Sequence, residues 1–311
     1  MTAPHVLVLI DASPASRMAL ASAARLARQQ HGELIALFVE DQDLHASAGH
    51  PFTREISRLS GESRPFDRET LLTRLAQQRH QIEAMLSELD RDTPLRWHLE
   101  VVAGPVFESV RAAAETADWV VLGKAGWSAG HGARLGSVAR RLLESGGNRL
   151  FLWQAIDHES HRWRGSEQRL SRLRGPSRPT APPSADQQAA VVGLLLSQRT
   201  AEAVVQTAEI IATVTDRPCH LFLLTGIDPA TLPSLTAWRQ AGDPPLIVEL
   251  IEAAPERHDS SVDPALFRNL QQTAASVVVL SDDAGAVLGR PLTDLIADIP
   301  APVIRVPSPP A

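Results

Sequence analysis

Leu122 to Ser137 reads LGKAGWSAGHGARLGS and holds five glycines together with the chain's one lysine, Lys124, against 29 arginines elsewhere. Glycines after a strand leave backbone N–H groups open to a ligand, and a helix starting near Ser137 adds its positive end. Together these make a cradle for an anion such as phosphate. Lys124 could touch phosphate oxygens as a point charge or lie in solvent. Ser137 could cap the helix, a role compatible with ligand contact because an anion can displace a cap. Asp11 closes the first apolar run, VLVLI, and could cap the helix after it. The same loop contains Gly126-Trp127-Ser128-Ala129-Gly130, the G-x-S-x-G of a nucleophile elbow, with His158, His161, His220 or His258 as partners for the serine. Three features oppose that chemistry. Gly130 and Gly132 disfavour the helix that must follow the serine, no oxyanion segment of the HGGG type lies upstream, and the duplication described below leaves no room for one eight-stranded sheet. No Walker lysine–serine/threonine pair is present, and the His158-Glu-Ser-His161 stretch has no further obvious metal ligands.

The elements that must position these residues follow from apolar patterning. Val6–Ile10 is a continuous apolar run, as in a strand covered on both faces. Ser13, Pro14 and Gly32 mark the start and stop of a helix whose Ala19, Ala23, Leu26 and Ala27 share a face. ELIALFVE is a second strand. Residues 42–67 are polar and irregular and read as a surface excursion. A helix from about Arg68 to Leu89 follows, with Leu72, Leu75, Ile82, Leu86 and Leu89 on one stripe. LRWHLEVV, DWVVLG and RLFLW are strands; VFESVRAAAETA and SVARRLLES are helices. Five strands alternating with helices within residues 1–154 make a doubly wound α/β domain. Residues 155–188, with six arginines and four prolines in DHESHRWRGSEQRLSRLRGPSRPTAPPSAD, read as a linker. Residues 189–311 repeat the first pattern. A shift of 185 places Val6 on Val191, Ala19 on Val204, Ala23 on Ala208 and Leu26 on Ile211, and a shift of 158 places ADWVVLG on ASVVVLS.

The halves differ where chemistry would occur. Asp11 corresponds to Leu196, and Gly123-Lys124-Ala125-Gly126 to Ser281-Asp282-Asp283-Ala284. Two carboxylates there would repel a phosphate, so the first half reads as the ligand domain and the second as a degenerate structural partner.

The spacing Gly123-x2-Gly126-x9-Gly136-Ser137, after a strand led by Asp118 and with Asp11 closing the first strand, resembles the ATP-binding branch of the universal stress protein family. The resemblance covers both halves and implies tandem five-stranded parallel sheets in the order 3-2-1-4-5, with helices on both faces. It implies a nucleotide, ATP or another adenine nucleotide, at the switch point between strands one and four, with magnesium as a candidate companion. It puts Asp11 at the ribose or metal and the Val39 backbone at the adenine, and it counts Ala12 among the nucleotide-binding positions. Gly123, Lys124 and Gly126 come near ribose and phosphates, and Gly136, Ser137 and Val138 meet phosphate. Ala139 stands where the pattern commonly has a hydroxyl. The family's pairing through the fifth strand implies that the two halves pair within the chain, or that chains form a homodimer. A stress-responsive regulator with at most slow ATP hydrolysis is the function implied, and an interaction scaffold without nucleotide is its competitor.

Composition narrows the class. The formal charge of −6 gives no general reason to bind nucleic acid or an anionic membrane. One cysteine, Cys219, excludes an internal disulfide or a cysteine-based zinc site, and the N-terminal apolar run is too short for a signal or a span. The expected location is the cytoplasm.

Overall fold

In a computed structural model of the chain, residues 3–11, 14–57, 60–124, 135–154, 189–251, 270 and 273–309 are described. Ala12, Gly126, the rest of the Gly126–Gly130 stretch and the expected linker 155–188 lie outside the described residues.

The first half runs β1 (His5–Leu9), α1 (Pro14–Gln29), β2 (Glu33–Asp41), α2 (Gln42–Ala48), β3 (Arg54–Ile56), β4 (Ser63–Pro65), α3 (Arg68–Asp92), β5 (Trp97–Gly104), α4 (Val106–Ala114), β6 (Trp119–Gly123), α5 (Ser137–Ser145) and β7 (Arg149–Trp153). The second runs β8 (Val191–Leu195), α6 (Gln198–Thr215), β9 (Cys219–Leu224), α7 (Pro233–Ala241), β10 (Leu246–Ile251), β11 (Val277–Ser281), α8 (Ala284–Val287), α9 (Leu292–Asp298) and β12 (Val303–Val306). A 3₁₀ turn at Pro229–Thr231 precedes α7.

Ten of these strands form one sheet, in the order β10-β9-β8-β11-β12-β7-β6-β1-β2-β5. Within each half the pairs are parallel; β7 and β12 meet antiparallel, with Phe151 opposite Ile304 and Leu150 opposite Arg305. Central strands are buried on both faces, as their apolar runs require, whereas β5 and β10 at the two edges alternate in exposure. The faces carry two apolar layers. Val6 and Val8 point into one with Ala19, Ala23 and Leu26 of α1; Leu7 points into the other with Leu142 and Leu143 of α5. The turn from α1 into β2 needs glycine, because a Cβ on Gly32 would lie 2.2 Å from the Pro4 carbonyl oxygen.

Two parts differ from the reading of the sequence. In α3 the buried stripe is Leu71, Leu75, Ile82 and Leu86, and Leu72 is 45% exposed. Leu71 sits one turn from Leu75 and seven residues from it lies Ile82, so the stripe starts one position earlier than Leu72. The excursion at 42–67 is also more ordered than its polarity suggests. Asp41 caps α2 by accepting the Asp43 N–H, buried Glu40 pairs with Arg79 of α3 and with His45 of α2, and Glu55 in the β3–β4 hairpin pairs with Arg74 of α3. These elements are held by charged side chains rather than by apolar periodicity.

Candidate nucleotide crevice

The two helices beside the first half's central strands leave on opposite faces, α1 after β1 and α5 after β6. A parallel sheet wound this way opens a crevice at the carboxyl ends of those strands. Asp11 lies at its β1 side, half-buried and engaged with a partner. The Ile10 N–H reaches the Leu37 carbonyl, the last bond between β1 and β2. Residues two apart on a strand direct their backbone groups the same way. The N–H and C=O of Val39 therefore point past the end of β1, into the crevice, while the other edge of β2 is paired with β5.

On the β6 side, Gly123 ends the strand opposite Trp153. The backbone of Lys124 then closes the base of the glycine loop: its carbonyl accepts the Gly136 N–H at 2.8 Å, and its own N–H reaches the Trp153 carbonyl at 2.7 Å. Gly136, not Ser137, is the N-cap of α5, and Ser137 is the first helical residue. The cap has no side-chain hydrogen bond and the first turn has no acidic residue, so within α5 no side chain compensates the helix's positive end. The structure thus groups Asp11, Val39, Gly123, Gly136, Ser137 and Val138 around one crevice. Asp118 lies at the far end of β6, where its carboxylate accepts the His5 N–H at 2.9 Å.

The Lys124 side chain is placed differently from either expectation. It is 1% exposed and its ammonium donates to the carbonyl of Ile299, in the second half. It is withdrawn from solvent and tied to the second half. The sequence holds no local sign of this, since the two residues are 175 positions apart.

The second half's equivalent crevice is bridged by its own side chains. Asp283, after β11, accepts hydrogen bonds from Ser281, from Ser197 at 2.5 Å and from Thr200 at 3.3 Å. Ser197 and Thr200 belong to the start of α6, so one carboxylate ties the two sides together. The shifts of 185 and 158 put Ala12, Ala15 and Ala125 at the positions of Ser197, Thr200 and Asp283. The first half therefore lacks all three members of the bridge. Asp282 is turned away, accepting the Ser308 N–H at 2.9 Å and the Ser308 hydroxyl.

Other candidates fall away from this place. His220, proposed as a partner for Ser128, is on β9, five strand positions from β6 or about 24 Å along the sheet. A cavity of about 580 Å³, lined in part by Asp118, Asn148, Arg149 and Arg305, lies at the opposite, amino-terminal ends of β6 and β7. Among the described residues there is no His/Cys/Asp/Glu cluster of metal-binding type.

The profile of the Universal stress protein family matches residues 3–146. The chain carries a universal stress protein domain over those residues. Its fold as a whole is similar to that of a universal stress protein from Archaeoglobus fulgidus DSM 4304, at 14% identity and a TM-score of 0.58, covering 99% of this chain and 97% of that one. It is also similar to a functionally unknown protein from Pseudomonas aeruginosa PAO1, at 14% identity and a TM-score of 0.53, covering 98% and 92%. No protein of curated function matches the sequence. No helix among the described residues is long and apolar enough to cross a membrane.

Proposed function

We propose that the stress-protein domain binds an adenine nucleotide, ATP in the first instance, in the crevice between β1 and β6. The observation that carries this reading is the glycine-capped amino end of α5, with no acidic residue in its first turn, set beside glycine backbone at the carboxyl end of a central strand. Oxygen anions are favoured at such a helix end. Gly136, Ser137 and Val138 would meet phosphate, Gly123 and Gly126 would let backbone approach ribose and phosphates, and Val39 would meet the adenine edge. Asp11 suits a ribose hydroxyl or a magnesium ion carried by the phosphates. On this reading binding acts as a switch in a cytoplasmic stress response, with ATP hydrolysis slow at most. The second half, whose crevice Asp283 closes, supports the first by pairing through β12.

Calorimetry on the full chain tests this, with one adenine nucleotide per chain as the expected result. Two per chain would mean that the second half is not degenerate. Gly126→Val should abolish binding with the circular dichroism spectrum unchanged, because a branched side chain blocks backbone approach. Ser128→Ala should leave binding intact; an esterase activity lost in that variant would instead favour the elbow chemistry.

A further inference from the structure

A buried ammonium is costly unless its charge and donors are satisfied, so a 1% exposed lysine marks a place where the fold needs a cation. Lys124 gives its N–H bond to Ile299, which ends α9. The last carbonyls of a helix have no partner within it, and their end of the dipole is negative, so a cation is the favoured cap there. The same residue's backbone holds two further parts: Trp153 at the end of β7, and Gly136 at the cap of α5. Lys124 therefore joins the base of the glycine loop, the strand at the seam, and a helix end of the second half.

We infer that Lys124 is a positioning residue through which the second half sets the geometry of the nucleotide loop. This rests on the reading of the crevice as a nucleotide site. Its ammonium ties the base of the loop to the end of α9 in the second half. The coupling runs both ways: whatever orders the loop also steadies α9, and whatever displaces α9 loosens the cradle. The arrangement is one-sided. The residue that corresponds to Lys124 in the second half is Asp282, whose carboxylate stays within that half on Ser308. A carboxylate aimed at a helix's carboxyl end would be repelled. Among the described residues, the first half's loop base is thus tied to the second half by Lys124, and Asp282 makes no matching tie in return.

Two measurements on the full chain test the inference. In the wild type, saturating ATP should slow amide hydrogen exchange at residues 292–299, on the far side of the seam from the crevice. Bound ATP with no protection there overturns the coupling. Lys124→Met should weaken ATP, AMP and adenosine by one common factor of about 5- to 150-fold, the usual span of allosteric coupling. It should also speed exchange at Gly136–Val138 and at 292–299 together. A loss graded by phosphate charge, largest for ATP and smallest for adenosine, would overturn the inference in favour of direct phosphate contact. Lys124→Gln, which keeps a polar donor, takes the place of the methionine variant if that one fails to fold. If the wild type binds none of the three ligands, the nucleotide reading fails. The strut is then judged by exchange in the variant: faster in both segments supports it, unchanged in both refutes it.

Discussion

Asp283 shows how much one side chain can decide. It takes hydroxyl hydrogen bonds from Ser197, Thr200 and Ser281, and both Thr200 and Ser281 are fully buried. Removing the acceptor leaves buried hydroxyls unsatisfied, at a cost of about 1–3 kcal/mol per group. Asp283→Ala should therefore lower the urea midpoint of the chain, by an amount set by how far the crevice relaxes. Nucleotide affinity of the first half should change little, since Asp283 belongs to the other crevice. A variant as stable as the wild type would mean that the bridge is incidental. Cys219 makes a second test at this scale. It is fully buried, and burial pushes its thiol well above the ordinary range. Thiol reagents should label it only when the second half opens, so labelling in urea should follow that half's unfolding and native protein should remain unlabelled.

At the scale of elements, α3 offers a pH test. Its N-cap Asp67 accepts the Thr70 N–H at 2.8 Å, and that bond holds the carboxyl below its ordinary range. A depressed folded value means that the stabilisation is present above the unfolded pKa and is lost as pH falls through the folded one. The first turn of α3 should therefore exchange its amides faster, relative to the intrinsic rate, as pH drops below the usual aspartate range. Asp67→Ala should remove this dependence. A first turn whose protection ignores both pH and the substitution would show that the cap contributes nothing. The neighbouring excursion is held by the same kind of interaction, with Glu40, Arg79 and His45 bracketing α2.

The whole molecule depends on the seam between β7 and β12. Equivalent residues of the two halves pair there, with Phe151 against Ile304 at the centre and apolar side chains of both layers on either side. This is the self-complementary geometry of a two-fold interface built into one chain. Ile304→Asp places an unpaired charge in that apolar layer. The radius of gyration from solution scattering should rise as the halves separate, while each keeps its helical content. By the coupling through Lys124, nucleotide affinity should fall with it. Separation without loss of affinity would confine the second half to a structural role.

Much of this was legible in the sequence because its causes are local. Continuous apolar runs place strands between two layers, and the α1 stripe of Ala19, Ala23, Leu26 and Ala27 is buried as its period requires. The duplication is visible for the same reason, since matching cores need matching patterns. The glycine spacing likewise points to backbone approach at the end of β6, because glycine is the residue that leaves the main chain uncovered. Contacts between distant parts of the chain were decided only by the tertiary structure. Lys124 could be assigned to phosphate or to solvent from its neighbours, yet it donates to a backbone carbonyl 175 residues away, and a carbonyl carries no sequence signature. The Asp283 bridge reads locally as two acidic residues in a turn. It becomes a closed crevice only when the sheet brings Ser197 and Thr200 beside it. Periodicity reports which face of an element is covered; the fold determines what covers it.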